Sequence, residues 1–198
     1  MPRLSSKARY IKEVFELYKK KGLNLSMEQI ADELHVTKKT LYNNFASKEE
    51  MLLTVVDHFF YGLECKMHDS VKNSRNAIEA MLLVNATIRS EIEKLGTLLL
   101  DDLSSENVDM FAHTNRSSFY SRVIMENLKK GMAEGLYRKD LNMEYVTLFY
   151  TSAIELFYKG GGSYRHIKNS CVFHSELVKH HLYSVVTTEG REILESYL

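Results

Sequence analysis

One proline, at position 2, in a chain of 198 residues narrows the fold more than any other feature. Proline removes a backbone donor and clashes with the preceding turn, so it interrupts helices wherever it occurs inside them. A chain almost without it can run helices nearly end to end. Apolar residues recur at three- and four-residue steps through most of the sequence, and alternating strand-like runs are few. The expected class is therefore all-α. With 44% apolar and 26% charged residues the composition is that of a globular domain, not a disordered or fibrous one. No run approaches the roughly 18 apolar residues needed to span a bilayer. The segment Met1-Pro2-Arg3-Leu4-Ser5-Ser6-Lys7 has no apolar stretch behind its positive charge, so no secretory signal is expected. Cys65 and Cys171 are too few and too far apart for a stapled secreted scaffold. The expected setting is cytoplasmic, without membrane association.

The helices have a distinct rhythm. Residues 5–21 carry Ile11, Val14, Phe15 and Tyr18 on one face, and Gly22 follows. Ser26-Met27-Glu28-Gln29 is a capping-box pattern that opens a second helix through Ile30, Ala31 and Leu34. Thr37 caps a third, at 38–44, and Ser47-Lys48-Glu49-Glu50 is a second capping box. It opens a long helix carrying Met51, Leu52, Val55, Val56, Phe59, Phe60, Leu63 and Met67. A break of about three residues between the second and third helices forces them to cross steeply, as in a helix-turn-helix. Beyond residue 72 the expected helices are longer: 75–93, a short apolar piece at 97–103, 108–135, 142–159, 170–186 after Gly160-Gly161-Gly162, and a last one at 189–197.

Charge follows this division. Residues 1–50 carry ten basic and seven acidic side chains, whereas residues 51–198 carry 16 and 19. A basic head on an acidic body fits a polyanion met by the head alone. The third helix has the surface for it. Leu41 and Phe45 lie four apart and face inward, which leaves Lys38, Lys39, Thr40, Tyr42, Asn43 and Asn44 facing out. Asparagine can pair with adenine through two hydrogen bonds, and a threonine methyl suits that of thymine. Lysines and hydroxyls reach phosphates and set the docking register.

These residues resemble the N-terminal domain of tetracycline-repressor (TetR) family regulators. The marks, within residues 25–52, are Ile30-Ala31, Val36-Thr37, Thr40-Leu41-Tyr42, Phe45 and Ser47-Lys48-Glu49. The resemblance covers about a quarter of the chain; the remainder matches in length and helical rhythm. It implies that Ser26, Thr37, Thr40, Tyr42, Asn44 and Lys48 contact operator phosphates, and that Lys38, Lys39 and Asn43 lie nearest the bases. Three positions depart from the family pattern. His35 stands where glycine is common, in a left-handed turn that histidine tolerates better than most residues. Lys39 stands where a small residue is usual, and Asn44 where histidine or tyrosine is.

The expected organisation is a three-helix helix-turn-helix domain at 1–47 and a helical ligand-binding and dimerisation domain at 48–198. Two copies about a two-fold axis read half-sites about 34–36 Å apart, hence a pseudo-palindromic double-stranded operator. Helices 142–159 and 170–186 are the expected homodimer face, as the resemblance also implies. A sensing body needs a mostly apolar cavity. Asn85 breaks an apolar stripe, and Met81, Phe119, Tyr120, Val123, Phe149 and Tyr150 are candidates to line the same space. The resemblance implies a largely apolar small-molecule effector and release of a repressor from its operator.

Two alternatives keep the head. One is a metal or redox sensor using Cys171, His174 and His181, which share a helix face beside His180. The other is an adaptor without a small ligand. Catalysis is not expected: Gly160-Gly161-Gly162-Ser163 lacks the Lys-Ser/Thr ending of a phosphate loop, and neither a nucleophile elbow nor a His-Glu-x-x-His pair occurs. No cofactor is expected.

Overall fold

The structure, a computed structural model, describes residues 5–96, 98, 99, 102, 116–159 and 171–198, and among these the side chains of all but 116–118, 155–159, 171, 173 and 174. Every regular element in the described residues is helical: α1 (Ser6–Lys21), α2 (Met27–Glu33), α3 (Lys38–Tyr42), α4 (Lys48–Val71), α5 (Ala77–Glu93), α6 (Arg116–Ala133), α7 (Met143–Lys159), α8 (Cys171–Val185) and α9 (Thr188–Tyr197). The piece expected at 97–103 is described only at Leu98, Leu99 and Asp102, the helix expected at 108–135 only from Arg116, and the three-glycine connector lies outside the described residues.

Most starts follow from side-chain caps. The Ser5 hydroxyl accepts from the Ala8 amide, Asn76 from Glu79 and Thr187 from Gly190. Each satisfies an amide that has no partner inside its helix. The box at Ser26 is complete, with Ser26 Oγ accepting from Gln29 N–H at 3.2 Å and the Gln29 side chain accepting from Ser26 N–H at 2.8 Å. The box at Ser47 forms only in part. Glu50 N–H donates to Ser47 Oγ at 3.0 Å, but the Glu50 carboxylate accepts from the Ala46 amide and from Lys7 Nζ of α1. Those two hydrogen bonds hold the Glu50 carboxyl below its ordinary range. A long-range cation thus redirected a cap that local spacing assigned to Ser47.

The chain divides into two compact units, Met1–Gly62 with Leu95–His113, and Leu63–Lys94 with Thr114–Leu198. Helix α4 begins in the first and ends in the second. The first unit is built on Tyr10, Val14, Tyr18, Ile30, Leu41, Phe45, Met51 and Val55, joined by Leu95 and Leu99. Full burial of side chains of this size contributes about 1.5–3 kcal/mol each. The Leu23 amide, just past α1, donates to Asp102 Oδ2 at 2.7 Å.

In the second unit α5 packs against α6, α8 and α9, and α6 against α7. Helix α6 ends in a Schellman turn. Gly135 is left-handed at φ 76°, its N–H donates to the Met132 carbonyl at 3.2 Å, and the Leu136 N–H reaches Gly131 at 2.9 Å. The turn folds Tyr137 back onto α6, where a Cβ on Gly131 would overlap its ring. The buried Tyr137 hydroxyl donates to Asn127 Oδ1 at 3.0 Å, and Asn127 Nδ2 donates to the Ala77 carbonyl at 2.8 Å. Lys66 and Lys94 both donate to the largely buried Glu91 carboxylate at 2.5 Å.

Candidate DNA-binding face and regulatory cavity

The turn between α2 and α3 is tight because the backbone closes it twice. Leu34 N–H donates to the Ile30 carbonyl at 3.0 Å and Val36 N–H to Ala31 at 2.9 Å, with His35 left-handed at φ 53° between them. The family resemblance implies this conformation at His35. Thr37 then caps α3, its Oγ1 accepting from Thr40 N–H at 3.1 Å and lying 2.8 Å from Thr40 Oγ1. Behind the helix Leu41 is 0% and Phe45 1% exposed. Lys7 stands over the Phe45 ring, 5.2 Å from its centre. The helix itself ends at Tyr42, but amides of Asn43, Asn44 and Phe45 still reach back to Lys39 and Leu41, so the expected end at 44 differs only in assignment.

The outward residues are of two kinds. Lys39, Asn43 and Tyr42 are exposed, and Lys39, Asn43 and Lys48 have no side-chain partner among the described residues. Others are engaged within the head. Asn44 donates to the Thr40 carbonyl at 2.8 Å and accepts from Ser6 Oγ at 3.2 Å. The Thr40 hydroxyl faces Thr37, and Ser26 caps α2. Lys38 is ion-paired with Glu28 in the first turn of α2, and its ammonium lies 5.8 Å from the Tyr42 ring centre. This hydrogen bond keeps the Glu28 carboxyl below and the Lys38 ammonium above their ordinary ranges. No local spacing announces a pair ten residues apart that meets across a turn.

The second unit holds a cavity of about 260 Å³. Met81, Phe119 and Val123 line it, as the apolar stripes suggest. Its other apolar lining residues are Met67 and Val71 of α4 and Ala80 and Val84 of α5, and His68, Ser74, Glu126, Asn127 and Lys130 add polar groups. Met67 and Val71 stand four apart on α4, a spacing that marks an inward face. Asn85, Tyr120 and Tyr150 are buried but outside this lining. Phe149, expected in the cavity, is instead 77% exposed. It shares an outward face of α7 with Tyr145 and Leu148, at the i, i+3, i+4 spacing. A helical stripe shows which residues share a face, not what covers that face. On α8, Val172 and Tyr183 are also exposed.

His181 of the alternative sensor set is buried. Its ring centre lies 4.3 Å from that of Tyr150, its Nε2 has no hydrogen-bond partner among the described residues, and burial lowers its pKa to about 4. The side chains of Cys171 and His174 lie outside the described residues. Among the described residues no three His, Cys, Asp or Glu side chains converge to hold a metal, and no helix is long and apolar enough to cross a membrane.

Residues 11–55 match the family model described as bacterial regulatory proteins, tetR family. An uncharacterized HTH-type transcriptional regulator of Bacillus subtilis (strain 168) is 29% identical over 102 residues, 51% of this chain and 54% of that protein. The chain thus spans about half the length of the curated relative it matches. Among solved structures, a transcriptional regulator from Cytophaga hutchinsonii superposes with a TM-score of 0.73 at 14% identity, over 91% of this chain and 98% of the other. A fatty acid degradation regulator from Bacillus halodurans gives 0.69 at 14% identity, over 91% and 97%. A ketosteroid transcriptional regulator of Mycobacterium tuberculosis gives 0.58 at 20% identity, over 94% and 97%. At such identities the likeness speaks for the fold.

Proposed function

Because the chain belongs to the TetR family of transcriptional regulators, through its helix-turn-helix, we propose that it is a cytoplasmic repressor released from a pseudo-palindromic operator by a small, largely apolar effector. The observation that carries this is the outer face of α3, where Lys39, Asn43 and Tyr42 stand in solvent above the buried Leu41 and Phe45. Rigid anchoring from behind lets short side chains hold one register on a duplex. Lys39 and Asn43 read base edges. Thr37, Tyr42 and Lys48, with the amides opening α2 and α4, take phosphates. Ser26, Thr40 and Asn44 serve the same contacts mainly by shaping the head.

Residues 1–47 form the reading head in this scheme and residues 48–198 the regulatory body. Two bodies pair through α7 and α8. Tyr145, Leu148 and Phe149 on α7 are 60–77% exposed, and an apolar face of this kind suits a second copy better than water. The effector enters the cavity beside α4, α5 and α6. Two proteins of similar fold are a fatty acid degradation regulator and a ketosteroid transcriptional regulator, and a mainly apolar lining with a few polar groups accepts an effector of that general character. Met67 and Val71 line the cavity near the end of the helix that Lys48 opens. Occupancy that tilts α4 moves the two heads off their half-site spacing. A coupling of about 1–3 kcal/mol changes operator affinity 5- to 150-fold.

Selection of genomic DNA fragments by the purified full-length protein tests the reading. Enrichment of an inverted repeat with half-sites about one helical turn apart is expected; recovery of unrelated fragments in proportion to length overturns it. An effector titration that leaves operator affinity unchanged overturns the release mechanism alone.

A further inference from the structure

We infer that Glu28 is an electrostatic brake on the DNA-binding face, withholding Lys38 from the duplex so that Lys39 is the operative cation of the recognition helix. This rests on the reading of α3 as the DNA face.

Glu28 sits in the first turn of α2 and Lys38 is the first residue of α3; both are exposed, and their side chains are ion-paired. The pair bridges the two helices of the motif on its solvent side. A phosphate that attracts the Lys38 ammonium therefore meets the Glu28 carboxylate with it. The local charge is zero, and a neutral site releases no counterion from DNA. Lys39, the next residue, is exposed and has no partner among the described residues. Adjacent lysines of equal charge thus differ in what they offer a polyanion. The tether also keeps Lys38 within 5.8 Å of the Tyr42 ring, on the side of α3 that faces α2. The family resemblance makes Lys38 and Lys39 equivalent base-facing residues; the pairing separates them.

Exposed ion pairs contribute little to fold stability, so removing one leaves the head folded while changing its charge. The test uses full-length wild type, Glu28→Gln, Lys38→Met, Lys39→Met and the Glu28→Gln/Lys38→Met double variant. Binding to a 30-base-pair duplex of mixed sequence and to the tightest duplex from the genomic selection is measured by fluorescence anisotropy from about 0.05 to 0.3 M salt. One phosphate contact adds about 0.9 to the slope of log affinity against log salt, about eightfold in affinity at 0.1 M. Glu28→Gln is expected to steepen the slope by that amount and tighten binding about fivefold to tenfold on both duplexes. The double variant returns the slope to the wild-type value. Lys38→Met alone leaves Glu28 unpaired beside the duplex and weakens binding to both duplexes, whereas Lys39→Met flattens the slope by about 0.9.

If Glu28→Gln leaves slope and affinity within twofold of wild type, the brake is overturned. It is also overturned if the double variant is flatter than wild type by about 0.9, since Lys38 then reaches phosphate despite Glu28. Weaker binding by Glu28→Gln to the selected duplex alone overturns it too, because the carboxylate then accepts from a base. Wild type that binds neither duplex overturns the DNA-face reading itself, an outcome distinct from the other three.

Discussion

Helices α3 and α7 each turn one face to solvent and bury the other, yet their outer faces have opposite chemistry. Outside α3 stand Lys39, Tyr42 and Asn43; outside α7 stand Tyr145, Leu148 and Phe149. Water solvates the first face well, so binding there must come from charge and geometry and stays sensitive to salt. It solvates the second poorly, so burial itself drives association, which depends little on salt. One chain thus carries a polar, basic outer face on α3 and an apolar one on α7, which the proposed scheme assigns to a duplex and to a second copy. The contrast can be broken or sharpened by substitution, from the largest effect downward.

Phe45→Ala removes the anchor behind α3. With the side chain 1% exposed, the loss is expected at about 3–5 kcal/mol, read as a lower urea midpoint together with loss of DNA binding. Retained DNA affinity would show that the face of α3 does not depend on its anchor. Next comes Leu148→Asp with Phe149→Asp, which leaves the first unit untouched. Sedimentation should report a monomer with unchanged helix content, and loss of the paired head should cost about 10²–10⁴ in operator affinity. A dimer that survives both charges would move the interface elsewhere.

His181 tests the interior of the second unit. Its pKa is lowered from 6.5 to about 4 by burial, so the unfolded chain takes up the proton first as pH falls. Its contribution is full above about 6.5 and is lost as pH drops toward 4, about 3 kcal/mol at the acid end. Urea midpoints at pH 7 and 5 should differ less in His181→Leu than in wild type. An equal acid sensitivity would assign it to other groups. Lys48→Ala should weaken all duplexes alike and flatten the salt slope by about 0.9, and Tyr42→Ala should also weaken all alike; Asn43→Ala should relax base preference instead. The smallest effect is expected from His35→Gly. Relief of the left-handed histidine at φ 53° exceeds the added chain entropy by less than about 1 kcal/mol, visible as a slight rise in melting temperature.

Much of the head was legible because its determinants are local. Ser26 with Gln29, Thr37 with Thr40, and Leu41 with Phe45 lie within four residues of each other, and steric and hydrogen-bonding rules act at that range. The body was legible only as helices. Nothing local distinguishes Phe149, which faces solvent, from Tyr150, which is buried and packs against His181.

The sequence by itself determined helices, the capped starts at Ser26 and Thr37 and the inward pair behind α3. Tertiary structure alone decided that Glu50 answers Lys7 as well as its own helix start, that Glu28 holds Lys38, and that Met67 and Val71 border a cavity with Phe119 and Val123. The physical reason is range. Caps and helical faces are set by neighbours along the chain, whereas ion pairs and cavities depend on which faces meet, and one sequence stripe is compatible with several partners until packing selects among them.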